Sequence, residues 1–232
     1  MPTRKPFIVT NRIPLTFPVS AIGLFMAVLS NIDAQSQSKW VFEQYNYIRQ
    51  ADASAFVPMV HFQTRNNWYG ELRYNYEDAQ TLSLFGGKTV SGGKSLTWSF
   101  TPMAGYSTGR FTGLSAGVNN EAEWKDFYFS AQSQYSIATK KDISNFFFNW
   151  SEAGYSFSDN FFSGIAMQYT RQFHKDYIEP GIVNGLCFRN FSIPFYVFNP
   201  LKGDCYFVLG LNYEYNLKKK NKFNKSNLQE IN

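Results

Sequence analysis

The sequence predicts an all-β fold, a closed antiparallel transmembrane β-barrel of about 12 strands, with 10–14 possible. Residues 68–77, WYGELRYNYE, alternate apolar and polar side chains almost without a break, and similar segments recur along the chain. Successive side chains of a strand point to opposite faces, so this alternation is typical of strands with two unlike faces. Aromatic residues make up 19% of the 232 residues, which is expected where rings lie at both lipid–water boundaries.

Polar groups rich in Gly, Asn and Asp divide the chain between residues 38 and 216 into strands. An even strand number places both chain ends on the periplasmic side. The longer connections, 138–144, 174–180 and 199–204, then all lie outside. The predicted strands are 38–49, 55–64, 67–77, 80–89, 95–106, 111–123, 125–137, 145–156, 161–173, 181–189, 191–198 and 204–216.

Three prolines, Pro58, Pro102 and Pro194, lie inside these strand-like runs. Proline has no backbone N–H and therefore cannot donate to a strand ladder. We therefore expect each of them to mark a bulge or an irregular rim.

The first 34 residues are typical of a signal peptide. Arg4, Lys5 and Arg12 precede the apolar run VSAIGLFMAVL, and cleavage after Ala34 fits the pattern. An uncleaved membrane helix is the alternative. The predicted organisation is therefore a signal peptide over 1–34, an outer-membrane barrel over 35–216 and a tail over 217–232.

The net charge of +5 is concentrated at the ends of the chain. The tail 217–232 is rich in lysine, and we predict a basic, disordered periplasmic segment there. The predicted barrel is close to neutral, so the basic balance does not imply nucleic-acid binding. Cys187 and Cys205 are predicted near opposite rims of the barrel, beyond disulfide reach, and are therefore expected to be free.

Alternation alone does not say which face is inside, and a secreted or periplasmic β-sandwich is the alternative to a membrane barrel. Three observations favour the membrane. Many segments reach the roughly 9–11 residues that cross a bilayer at a tilt. Rings cluster near segment ends, and the polar faces carry charges and amides that suit a wet lumen.

The polar faces supply the candidate lumen residues. In the strand over 67–77, Trp68, Leu72, Tyr74 and Tyr76 are expected to face lipid. Charges inside a narrow lumen must pair or stay hydrated. They form either a network that locks the barrel or a polar, mildly cation-favouring path. The candidates are Glu71, Arg73, Asn75, Glu77, Glu121, Glu123, Gln132, Gln134, Gln168 and Glu214.

Catalytic chemistry has little support in the sequence. There are two histidines, and His61 has no local serine partner. His174 lies beside Asp176 in a predicted outer connection and is expected to be a charged loop residue. We predict no catalytic residue, no cofactor and no metal site, and keep a lipid-modifying enzyme as a minor alternative.

The strand segments YGELRYNYED, FYFSAQSQY and PFYVF give the chain a family resemblance. It resembles small bacterial outer-membrane β-barrels, in the style of uncharacterised barrels of Bacteroidetes. The resemblance covers residues 38–216 and implies the outer membrane of a Gram-negative bacterium. Gly210, Tyr213 and Tyr215 are similar to the insertion signal of such barrels, which implies the barrel-assembly machinery as a partner during biogenesis.

The function expected from these features is a narrow porin-like channel for small polar solutes. The alternative is a non-conducting structural or accessory barrel in an envelope complex. Outer-membrane lipid is the expected surrounding, nucleic acid is not an expected partner, and a partner protein of the envelope is left open.

Overall fold

The computed structural model describes residues 38–49 and 55–217. The predicted signal peptide and nearly all of the predicted tail lie outside the described residues, as does the turn over 50–54. Within the described ranges, no helix is long and apolar enough to cross a membrane.

The described chain forms thirteen strand segments joined by short turns. Segments β4 and β5 both pair with β6 in one continuous register and form a single barrel strand, so the barrel has twelve strands. The segments are β1 Lys39–Arg49, β2 Ala55–Gln63, β3 Trp68–Tyr74, β4 Thr81–Lys88, β5 Val90–Gly92, β6 Leu96–Gly109, β7 Gly113–Trp124, β8 Phe127–Ala138, β9 Phe146–Ser158, β10 Phe161–Gln172, β11 Lys175–Phe188, β12 Phe191–Phe198 and β13 Tyr206–Asn216.

The sheet is closed and antiparallel. Each strand pairs with its sequence neighbours, and β1 pairs with β13 from Lys39 opposite Asn216 to Arg49 opposite Tyr206. Closure leaves the ring without a free edge strand. The predicted fold class, a closed antiparallel barrel of about twelve strands, is confirmed.

The outer surface of the barrel is apolar. On β4, for example, Leu82 and Leu84 are exposed, whereas Ser83 and Phe85 face inward and are buried. Exposed Leu, Ile, Phe and Trp side chains recur in this way on most strands. A barrel in water would place its apolar side chains inside, so this arrangement suits a barrel surrounded by lipid. A β-sandwich is ruled out by the single closed sheet.

One predicted connection is wrong. Residues 174–180 were expected to form a long outer loop, but β11 begins at Lys175. The turn between β10 and β11 consists of Phe173 and His174, both with positive φ (52° and 59°). β11 extends beyond the apolar band of the outer wall. Both faces of this part of the strand carry polar residues, so the sequence shows no clear alternation there.

Two of the three prolines lie where a strand ladder is interrupted. The pairing with β6 breaks between β4 and β5, opposite Thr101 and Pro102, and then resumes in the same register. The hydroxyls of Thr89 and Thr101 hydrogen-bond across this gap at 2.8 Å. The pairing of β12 with β13 is interrupted at Pro194. These prolines mark irregular pairing without a bulge, because the register is preserved on both sides.

The two ends of the barrel differ. We call the end where β1 begins and β13 ends the proximal mouth, and the opposite end the distal mouth. The distal mouth carries the turns over 75–80, 110–112, 139–145, 173–174 and 199–205. Cys187 lies near the proximal mouth and Cys205 lies in a distal turn, and both are free thiols.

Candidate functional site

A cavity of about 960 Å³ occupies the proximal half of the lumen. Its rim includes Lys39, Glu123 and Asn216, which lie at or next to the ends of their strands at the proximal mouth. Its inner end is lined by the rings of Tyr45 and Trp150 together with Tyr76 and Tyr196. We call this cavity the vestibule and its inner end the floor.

The vestibule wall carries more acidic than basic side chains. Among the described residues that line it, the basic side chains are Lys39, His61 and Arg189. The Lys39 ammonium is 2.7 Å from a carboxylate oxygen of Glu214, so its charge is already paired. The lining carboxylates are Glu43, Glu121, Glu123, Glu152 and Glu214. The balance produces a negative potential inside a confined, low-dielectric wall.

Three rings of the floor come from three different strands. The centroids of Tyr45 on β1 and Trp150 on β9 are 5.6 Å apart, and Tyr196 on β12 lies 5.1 Å from Trp150. The Trp150 and Tyr196 rings meet edge to face, an arrangement that stabilises aromatic pairs. These rings separate the vestibule from the distal half of the lumen.

The distal half of the lumen is filled with buried side chains, which we call the distal core. Two apolar clusters form it, and the half-buried side chains of Tyr45, Tyr47 and Trp150 pack against both of them. Close packing of rings in this volume excludes water. The buried members are Val57, Met59, Tyr76, Phe111, Phe146 and Phe148 in one cluster, and Ala166, Val183, Tyr196, Phe198, Tyr206 and Val208 in the other.

Arg73 organises the polar part of the same region and is fully buried. Its Nε lies 2.5 Å from Glu71 Oε1, and its Nη1 donates to Gln134 Oε1 at 2.7 Å and to Glu77 Oε1 at 3.3 Å. The guanidinium also lies 4.2 Å from the centroid of the Phe85 ring. A buried charge requires partners of this kind, because an unpaired ion in a dry interior is very costly.

Hydroxyl groups extend this network across the lumen. Ser83 donates to Glu77 Oε2, and the hydroxyls of Ser83 and Ser107 are 2.8 Å apart. On the facing wall, Gln134 Nε2 donates to Ser136 at 2.8 Å. The carboxylates of this network therefore accept hydrogen bonds from other side chains as well as from Arg73. Together these bonds connect β3, β4, β6 and β8.

His61 lies between the network and the vestibule. Its Nδ1 hydrogen-bonds the Tyr69 hydroxyl, which in turn donates to Glu71 Oε2 at 2.9 Å. The other ring nitrogen, Nε2, is 3.6 Å from Glu43 Oε2. No serine or cysteine nucleophile is hydrogen-bonded to this histidine in the described chain. Over the same residues, no group of three or more His, Cys, Asp or Glu side chains is placed to hold a metal ion.

The predicted lumen residues divide between the two halves of the barrel. Five are buried in the distal part of the lumen or just above it: Glu71, Arg73, Glu77, Gln134 and Gln168. Four line the vestibule: Glu121, Glu123, Gln132 and Glu214. Gln168 bonds the hydroxyls of Tyr47 and Tyr206 within the distal core.

Asn75, the remaining candidate, belongs to the turn after β3. Its φ is +61°, its amide donates to the carbonyl of Phe56 at 2.9 Å, and its side-chain oxygen accepts from the N–H of Gln80. The positive φ ends the strict alternation. Tyr76, expected to face lipid, is instead buried inside, where its hydroxyl donates to Gln132. The prediction for Tyr76 was wrong because parity was carried through a turn.

Several residues of the site were not among the candidates. Tyr45 and Glu43 lie on β1, whose outward face also carries Gln44 and Asn46, so polarity does not distinguish the two faces there. The inward face of β1 could have been found by taking every second residue from Lys39, the charged residue at the start of the strand. Glu152 is a lone carboxylate in an aromatic strand, and its position facing Ser130 and Tyr196 follows from the strand order.

No family model matches the chain, and no curated protein matches its sequence. Its fold is similar to solved porins. The KdgM porin in complex with disordered oligogalacturonate superposes with a TM-score of 0.58 at 10% identity, over 75% of this chain and 99% of that chain. The NanC porin superposes with a TM-score of 0.54 at 12% identity, over 76% of this chain and 99% of that chain. At these identities the likeness concerns the fold.

Proposed function

We propose that this protein is a porin-like outer-membrane barrel that admits small polar solutes, with cations preferred, and carries no catalytic activity. The observation that supports this most directly is the vestibule, a cavity of about 960 Å³ that opens at the proximal mouth. Its excess of carboxylates raises the local concentration of cations. The floor and the distal core then control whether a solute crosses.

The apolar outer wall and the porin neighbours support a place in the outer membrane. The predicted signal peptide over 1–34 and the resemblance to barrels of Bacteroidetes stay predictions. The solved KdgM complex holds oligogalacturonate, a polyanion. The negative vestibule of this chain favours the opposite charge, so we propose a different class of solute.

A second candidate is a barrel that does not conduct and serves a structural or accessory role in the envelope. The distal core favours it, because the side chains of Phe148 and Phe198, which lie in that half of the lumen, are almost completely buried. The two candidates differ in whether this core opens. An enzyme that acts on lipid through His61 or His174 has no supporting contact in the site.

Single-channel recording in planar bilayers separates the candidates. Wild type is compared with Phe148→Ala, which removes a ring from the distal core, and with Phe157→Ala, which removes an outward ring from the same strand. A channel gives current in wild type and a larger conductance in Phe148→Ala, with Phe157→Ala unchanged. Silence of wild type and both variants supports the non-conducting barrel and contradicts the channel.

A wild type that is silent while Phe148→Ala conducts has a separate meaning. The lumen would then be closed at rest by the distal core and would need a signal to open. Folding of each variant is checked by its shift in gel mobility on heating in detergent, so that an unfolded variant is not read as a closed one.

A further inference from the structure

Two carboxylates face each other above the floor of the vestibule. Glu43 lies on β1 and Glu152 on β9, five strands apart around the ring. Both line the cavity. Glu43 is two residues from Tyr45 on the same face of β1, and Glu152 accepts from Tyr196, whose ring centroid is 6.4 Å from that of Tyr45. The closed barrel therefore brings together two acids that are far apart in the sequence.

Among the described residues, Glu152 has no basic partner, and the one basic partner of Glu43 is His61. Glu152 accepts hydrogen bonds from Ser130 at 3.2 Å and from the Tyr196 hydroxyl at 3.1 Å. Glu43 has only the His61 ring within ion-pair distance, at 3.6 Å. Within the described ranges, neither forms an ion pair with a lysine or arginine. A pair of acids in a confined space is stabilised by a cation between them.

The surroundings of the two acids favour an organic cation. Tyr45, Trp150 and Tyr196 form the aromatic floor, with centroid separations of 5.1–6.4 Å. Aromatic rings attract cations, and they also give the carbon chain of an organic ion an apolar surface. Alkali ions gain less from such a surface, because they keep their hydration shells.

Amide side chains also contribute to the lining of the site. Asn119 and Asn212 line the vestibule, and Asn212 on β13 is paired with Glu43 on β1. A primary ammonium carries three N–H donors, so it can bond a carboxylate and further acceptors of the lining at the same time.

We propose that the vestibule floor is a binding site for small organic ammonium ions, held between Glu43 and Glu152 on the ring surface of Tyr45, Trp150 and Tyr196. This proposal rests on the proposed function, in which solutes enter through the vestibule, and it identifies amines as the class of solute. Binding itself needs only the open vestibule and does not depend on conduction.

Calorimetric titration of the full, detergent-folded chain tests the site. The probe is 1,4-diaminobutane at pH 7 and low salt, and the matched neutral compound is butane-1,4-diol. We expect the diamine to bind with a Kd below about 1 mM and the diol at least about tenfold more weakly. Equal affinity for the two compounds, or no binding of the diamine, would overturn the proposal.

Variants assign the binding to the floor. Glu43→Gln and Glu152→Gln keep the shape of the side chain and should each weaken diamine binding by about tenfold or more. Trp150→Phe should weaken it by a smaller factor through its poorer cation contact. Asp142→Asn, the same change in an exposed distal turn, should leave the Kd within about twofold. Wild-type affinity in both glutamate variants would overturn the assignment.

The outcomes also separate this site from channel activity. Diamine binding by a barrel that never conducts supports the site and contradicts the channel. Currents from a barrel that does not bind the diamine contradict the site alone.

Discussion

At the scale of single residues, Arg73 is the charge on which the polar half of the distal lumen depends. Its guanidinium contacts Glu71, Glu77 and Gln134 and is completely enclosed. The two carboxylates have no other arginine or lysine within 4 Å among the described residues. Among the described residues, Arg73 is therefore the only guanidinium or ammonium group of the network, and its other basic side chain is His61, 3.8 Å from Glu71 Oε2.

Replacing Arg73 by methionine should destabilise the barrel strongly. The change keeps an apolar stem but removes the guanidinium that pairs with the buried Glu71 and Glu77. We expect the free energy of unfolding to fall by about 3–5 kcal/mol. The free energy of unfolding is measured by urea unfolding of barrels folded in lipid vesicles. The control is Arg171→Met, which removes an exposed arginine from its pair with Asp176 and should cost at most about 1 kcal/mol. Equal losses in the two variants would show that Arg73 is not held as a buried ion.

At the scale of strands, rings that cover glycines set how closely the wall packs. Phe162 on β10 is directly opposite Gly185 on β11, and a Cβ placed on Gly185 would be 2.0 Å from the ring. The far end of the Phe162 ring therefore covers Gly185 on the neighbouring strand, an arrangement that protects a glycine in a sheet. Gly70 on β3 has no atom within 4 Å of such a Cβ and serves as the contrast.

The substitution Gly185→Ala should therefore be costly, whereas Gly70→Ala should not. The added methyl group displaces the Phe162 ring, and overpacking of this kind typically costs about 1–3 kcal/mol. For Gly70→Ala we expect a change within about 0.5 kcal/mol. The same urea unfolding assay compares the two variants. A harmless Gly185→Ala would mean that the ring of Phe162 has another position available at little cost.

Most strands could be predicted from the sequence because the apolar belt enforces alternation. The prediction failed where that constraint ends. At Lys175 and Asp176 the strand extends beyond the belt, and polar residues are tolerated on both faces. At Asn75 a positive φ breaks the parity that placed Tyr76. A local backbone reversal leaves no periodic signal.

The candidate site was less predictable than the fold. Residues such as Glu71 and Arg73 are identified as inward-facing by the parity of their own strand. Which groups meet Glu43 and Glu152 across the lumen depends on the order of all strands around the closed ring, which no single segment contains. Whether inward charges line an open path or a filled one depends on the sizes of side chains that meet across the lumen.

At the scale of the whole molecule, the charge of the vestibule should set its ion selectivity. Neutralising Glu121 and Glu123 together should lower the ratio of potassium to chloride permeability by roughly twofold or more, because their field acts over the mouth of the lumen. Reversal potentials under a KCl gradient measure the ratio, in the Phe148→Ala background if wild type is silent. The effect should shrink at high salt as screening increases.

Asp142→Asn is the matched control for this measurement, since it removes one acid from an exposed distal turn. It should leave the reversal potential unchanged at moderate salt. An equal shift in the control and in the double variant would mean that overall charge, and not the wall of the vestibule, sets selectivity.

The pairing of β1 with β13 joins the two ends of the described chain along eleven residue pairs, from Lys39 opposite Asn216 to Arg49 opposite Tyr206. All other neighbouring strands are close in sequence and can associate as soon as both exist. The closing pair must bring together segments separated by the whole barrel, at the largest loss of chain entropy. We therefore expect a long-lived open sheet during folding, with closure of this seam as its slow final step.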